Sequence, residues 1–195
     1  MESDWMRREF QRLEFVRSDK YFTFKAALNL FLQRNGQVIV ETGTMRVKDD
    51  PGGCSTLLFG AFCKRYDKLL ITVDVNTVNL KLAMDETANY ADYIRYIHND
   101  SVEFLEIQYP TPKIDLLYLD SMDCPMEGDA TKAQEHQLHE FLVAQRLLRK
   151  GLILLADDNN FPNGGKTRLL KQHLLTRADW QCILDSGQTL WEKVE

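Results

Sequence analysis

The chain has 195 residues, 44% of them hydrophobic and 27% charged, which is enough for one domain with a continuous core. Its net charge of −5 gives no general attraction to phosphate backbones, so nucleic acid is not an expected partner. No apolar run nears the roughly 20 residues that span a bilayer, and the start, MESDWMRREF, lacks the apolar segment of a secretory signal. The expectation is a cytoplasmic protein with no membrane association.

The first 35 residues read as helical. Phe22, Leu28, Leu30, Phe31 and Leu32 cluster on turns of a helix that stops near Asn35 and Gly36. Strands and helices then alternate. QVIVE is a short β-branched strand, and STLLFGAFCKR is a helix with Ser55 or Thr56 near its start. KLLITVDVN is a strand, NLKLAMDETANYA a helix, YIRYIHND a strand and SVEFLEI a short helix. IDLLYLD is an apolar strand ending in an acid. KAQEHQLHEFLVAQRLLRK is a long amphipathic helix, and GLILLADD a second apolar strand ending in acids. KTRLLKQHLL is helical, and WQCILDSGQTLWEKV forms a closing hairpin around Asp185, Ser186 and Gly187.

The central strands are apolar without alternation, as strands buried on both faces are. The fold class is therefore α/β: Rossmann-like, doubly wound, with a mostly parallel seven-stranded sheet, helices on both faces and an antiparallel strand near one edge. No linker or repeat divides residues 1–195, so one unit is expected, with leading helices over 1–35 and the core over 36–195. The cysteines Cys54, Cys63, Cys124 and Cys182 are scattered without a CxxC pair, which suits reduced structural thiols rather than zinc.

In such a sheet, ligands bind beyond the carboxyl ends of the strands. The residues there are Glu41 and Gly43, Asp74, Asn99 and Asp100, Asp120, then Asp157 and Asp158. Each acid alone reads equally well as a helix cap or turn residue. Together they form an acidic rim suited to a cationic or hydroxyl-rich ligand, or to a hard metal ion. Asp74 has the chemistry to accept from a ribose diol and Asp100 from an exocyclic amine.

The ordered set VIVETGT, GGCST, LLITVD, HNDSVEFL, DLLYLDSMD and LLRKGLILLADD resembles the class I S-adenosylmethionine-dependent methyltransferases, over roughly residues 25–185. It is most similar to the small O-methyltransferase branch with its catechol-type members. The resemblance implies O-methylation of a small-molecule hydroxyl. It places Glu41 and Gly43 at the methionine end of the cofactor, Asp74 at the ribose, and Asp100 with the backbone of Ser101 at the adenine, with Thr44, Ser55 and Asn99 as further cofactor-binding residues. Asp120 would serve the cofactor and the chemistry, and Asp120, Asp157 and Asp158 would hold Mg2+ or another divalent cation. The leading helices, with Trp5, Phe10, Phe15, Tyr21, Phe22 and Phe24, would pack on the sheet, close over the cofactor or carry homodimer contacts.

Three departures stand out. The final pair is Asp-Asp where catechol-type members have Asp-Asn. Residues 45–51 lengthen the loop before the second glycine, as a lid or as a surface excursion. Asp123 takes the place of a lysine or histidine base and is the second candidate catalytic residue, though an ionised aspartate is a weak base unless burial raises its pKa. NGGKT lacks the P-loop's first glycine, since position 160 is Asn160, so Lys166 reads as helix start or solvated surface. His136 and His139 read as solvent-facing, with one of them available as a base, and His98 could pack beside the adenine. A nicotinamide oxidoreductase would need Gly-x-Gly-x-x-Gly, which Met45 and Lys48 break. The remaining rivals are a regulatory protein that keeps the cofactor fold and an N-methyltransferase without metal.

Overall fold

The computed structural model describes residues 4–13, 19–47, 53–107 and 113–195. Among them, β1 (Val38–Thr42), β2 (Leu69–Asp74), β3 (Ile94–His98), β4 (Leu116–Leu119), β5 (Ile153–Ala156), β6 (Trp180–Asp185) and β7 (Thr189–Lys193) form one sheet. Its order is β3-β2-β1-β4-β5-β7-β6. The first five strands are parallel. The closing hairpin inserts β7 antiparallel to both β5 and β6, which leaves β6 at the edge. This is the Rossmann-like arrangement expected.

Alternate residues of each central strand feed opposite cores, which is why the sequence shows no alternation. Ile39, Leu70, Leu116, Tyr118, Ile153 and Leu155 pack under Phe24, Leu28 and Phe31 of α2 (Tyr21–Gln33) and Phe59 and Phe62 of α3 (Ser55–Tyr66). Val40, Ile71, Leu117, Leu119 and Leu154 pack on the other face, against α5 (Ser101–Glu106), α6 (Thr131–Ala144) and α7 (Arg168–Leu175). α1 (Asp4–Arg12) joins the first core through Met6 and Phe10, and α4 (Thr77–Glu86) through Ala83.

The helix α2 stops where expected, with Asn35 in the left-handed conformation at φ 54°; asparagine tolerates it because its short polar chain bonds locally. One local detail differs from the sequence reading. Phe22 lies on the outer side of α2 and is 67% exposed, so it is not part of the core. Phe15 lies outside the described residues, as do residues 48–52 of the lengthened loop. No described helix is long and apolar enough to cross a membrane. Cys54, Cys63 and Cys124 are buried and Cys182 is exposed, and none of the four is in a disulfide.

Candidate functional site

The strand order reverses at β1, whose neighbours are β2 and β4. Crossovers leave in opposite directions there, so a crevice opens beyond the carboxyl ends of β1 and β4. Two adjoining cavities of about 280 and 290 Å3 occupy it, sharing Gly43, Asp74, Val75, Ser121 and Asp123.

Gly43 sits at φ +80°, and a Cβ there would lie 2.3 Å from the carbonyl oxygen of Asp120. Glycine is needed so that β1 can turn against the backbone leaving β4, a closer constraint than the approach of a ligand. Gly43→Ala is expected to lower the melting temperature by several degrees, since a left-handed alanine alone costs about 1–2 kcal/mol before the clash is counted. A thermal melt matching the parent protein would contradict that reading.

The site residues fall into two groups. The cleft itself is lined at one end by Asn99, Asp100 and Ser101, and at the other by Thr44, Ser55 and Asp120. Asp74 lies between them. Its carboxylate accepts from the backbone N–H groups of Thr44, at 3.1 Å, and Asn76, at 2.7 Å. Asp100 caps α5, accepting from the N–H groups of Val102 and Glu103. Both acids therefore shape the rim while lining the cleft, and the cap and ligand readings coexist in one residue.

Glu41 is placed differently. It is fully buried beneath the cleft, with Ser55 Oγ donating at 2.5 Å, Thr56 Oγ1 at 2.8 Å and Thr72 Oγ1 at 2.7 Å. It ties the start of α3 to β1 and touches the cavity only through Ser55. Burial pushes its carboxyl up to about 7, against the pull of the three hydroxyl bonds.

His136 also departs from expectation. Its side chain is turned into the cleft, not to solvent, with Nε2 at 2.9 Å from Ser121 Oγ and 3.2 Å from Ser101 Oγ. His139 is exposed. His98 is exposed as well and holds the carbonyl of Val75 at 2.9 Å, outside the cavity lining. Asp123 lies at the mouth, where Arg46 donates to it at 2.5 Å across the opening. The start of the lengthened loop thus reaches the cleft, and Met45 N anchors it on Thr56 Oγ1 at 2.9 Å.

The second group is the acidic trio. Asp120, Asp157 and Asp158 offer oxygens that all lie within 4.8 Å of one another, as the metal expectation required. Two ammonium groups already sit on them. Lys166 Nζ is 2.7 Å from Asp120 Oδ1 and 3.2 Å from Asp158 Oδ2, and Lys20 Nζ is 2.6 Å from Asp157 Oδ2. Lys166 is only 1% exposed, which overturns its reading as solvated surface, while its place directly before the N-cap of α7 is the helix start expected. Tyr118 completes the cluster by donating to Asp157 at 2.5 Å.

Burial and the charge of Asp157 drive the Asp120 carboxyl upward. Burial would do the same to Asp157, but Lys20 and Lys166 outweigh it and hold that carboxyl below its ordinary value. Burial opposes the charge of Lys166 too, and the three aspartates more than restore it. The residues do not fit a resident divalent ion. Lys166 and Lys20 already occupy one oxygen of each carboxylate, and their two positive charges oppose a third cation beside them.

Fold and cleft together define a class: a doubly wound α/β protein with a polar ligand crevice at its switch point. The sequence profile of the family described as a methyltransferase domain matches residues 51–159, more than half of the chain, and the chain belongs to that family. Its fold is that of the class I S-adenosylmethionine-dependent methyltransferases. A methyltransferase from Geobacter sulfurreducens aligns over 100% of this chain and 91% of its own, with TM-score 0.61 and 17% identity. The SAH-bound Podospora anserina methyltransferase PaMTH1 aligns over 100% and 89%, with TM-score 0.62 and 12% identity. The O-methyltransferase NovP aligns over 94% and 80%, with TM-score 0.60 and 15% identity. At such identities the likeness is one of fold. No curated protein matches the sequence significantly.

Proposed function

We propose that the protein binds S-adenosylmethionine in the cleft and methylates a hydroxyl of a small molecule. The observation that carries this is the pairing of Asp74 with the Asn99–Asp100–Ser101 corner in one cavity at the switch point. Two acids lining one cavity suit a ligand with a diol at one place and an amine-bearing ring at another. The SAH-bound state of one solved relative supports the same reading.

When bound, the cofactor supplies an electrophilic sulfonium methyl. The chain's own residues do the rest. Asp74 accepts from the ribose hydroxyls and Asp100 and Ser101 receive the adenine, while backbone beyond Gly43 faces the methionine end. The acceptor enters over Asp120, beside the Arg46–Asp123 pair. Holding two reactants in line supplies about 7–11 kcal/mol of barrier reduction by itself. Asp120, made a stronger base than a free carboxylate by burial and the charge of Asp157, is suited to take the hydroxyl proton in its ionised form, which Lys166 stabilises.

Calorimetric titration with S-adenosylmethionine, with NADH as control, tests the reading. Binding of the first and not the second is expected. Asp74→Ala should weaken it about tenfold to a hundredfold, the worth of hydrogen bonds to a charged group. Folded, cofactor-free protein that binds neither compound would reject the proposal.

A further inference from the structure

The NGGKT stretch lacks the first glycine of a P-loop, yet its backbone is closely constrained. Gly165 stands at φ +62°, and a Cβ there would lie 1.9 Å from the carbonyl oxygen of Asp158. Asp158 itself is left-handed at φ 56° and accepts from Lys166 N at 2.9 Å. Gln134, buried in α6, donates to Gly165 O at 2.9 Å and clamps the turn. These contacts force the Lys166 side chain inward beneath the cleft.

Its ammonium donates to Asp120 Oδ1 at 2.7 Å and Met122 O at 3.0 Å and forms an ion pair with Asp158 Oδ2 at 3.2 Å. Lys20 closes the far side on Asp157, whose side chain is fully buried. Its segment is held in turn by Thr23, whose single hydroxyl proton is shared between Lys20 O at 2.9 Å and Gln188 Oε1 at 2.6 Å. Gln188 donates to Tyr118 Oη at 3.2 Å, and that hydroxyl donates to Asp157. Two fixed positive charges thus stand among three carboxylates, on a network whose members come from four separate parts of the chain.

We propose that Lys166, seconded by Lys20, is a built-in cation that takes the place of a divalent ion in this acidic cluster, so that the site works without metal. A divalent ion would have to displace a buried ammonium and approach a second one. In its stead Lys166 fixes Asp120 and the backbone of Met122, which line the two adjoining cavities of the cleft. An acceptor therefore needs no pair of adjacent oxygens to chelate a metal. The consequence for turnover rests on the methyl-transfer reading; the cation replacement itself does not.

The test uses Mn2+ as probe on the full chain, read by electron paramagnetic resonance and by thermal melting. The wild-type protein is expected to leave Mn2+ free and to melt at the same temperature with or without it. Lys166→Ala vacates the cation position and should bind Mn2+ about a hundredfold tighter or more, as expected when a unit charge a few Å away is removed. Asp158→Asn in that background should reverse the gain. Should Lys166→Ala fail to fold, Lys20→Met opens the cluster from its Asp157 side and is read the same way. Stoichiometric Mn2+ on the wild-type protein, lost in Asp157→Asn, would overturn the proposal. A folded lysine variant that takes up no ion would overturn it too. Absence of S-adenosylmethionine binding would instead count against the methyl-transfer reading and leave these metal readouts standing.

Discussion

Lys166→Met is expected to lower the unfolding free energy by about 3–5 kcal/mol at neutral pH, the usual cost of removing one partner from a buried ion pair. Methionine fills much of the same volume, so the loss is electrostatic rather than a cavity effect. The lysine is 1% exposed and is the nearest positive charge to Asp120 and Asp158. Without it those carboxylates keep their desolvation penalty and lose its compensation.

The cost has a built-in relief. Asp120 is already pushed toward its neutral form by burial and Asp157, and it takes up a proton more readily once Lys166 is gone. The deficit should therefore shrink as pH falls. The lysine itself imposes no slope near neutrality. Its folded pKa lies above the unfolded one, so its contribution is complete below the unfolded value and fades only in strong alkali. Adding Asp120→Asn to Lys166→Met should recover about 1–2 kcal/mol, because the pair shares one interaction and the two changes are not additive. Urea unfolding of the four proteins measures the cycle. Equal midpoints for wild type and Lys166→Met would mean that the ammonium is not compensating the trio.

How much of this was readable in the residues varies with the scale of the physics. The apolar runs of β4 and β5 announced strands buried on both faces, and the register confirms it, with Leu117 and Leu154 on one face and Tyr118 and Leu155 on the other. Asp74 and Asp100 could be placed at strand ends because topology alone puts them there. Lys166 could not be read. Its inward course depends on left-handed turns at Asp158 and Gly165 and on a glutamine from α6, none of which leaves a local pattern. His136 and His139 share one side of α6 by spacing, but spacing does not say that His136 meets Ser101 and Ser121 while His139 stays exposed. Glu41 looked like a ligand residue because it ends a strand. Its three hydroxyl partners come from β2 and α3, and only the packed sheet reveals that they have claimed both of its oxygens.

That position makes Glu41 the source of the second large effect, a stability that falls with rising pH. Its carboxyl is raised from 4.5 to about 7 by complete burial, which disfavours the charged form more than three hydroxyl bonds can repay. A group whose folded pKa exceeds its unfolded pKa binds its proton more tightly in the native state. Its contribution is thus complete below about pH 4.5 and is lost as pH climbs through about 7. The full difference corresponds to about 3 kcal/mol. Glu41→Gln keeps the shape and an acceptor oxygen but cannot ionise. The variant should match the wild type near pH 5 and exceed it by up to about 3 kcal/mol above pH 7, read from urea midpoints across that range. Parallel curves for the two proteins would show that the hydroxyl cage stabilises the carboxylate well enough to cancel its burial. A gain confined to the alkaline side would instead mark Glu41 as a residue that is costly to fold at neutral pH while tying β1 to α3 beneath the cleft.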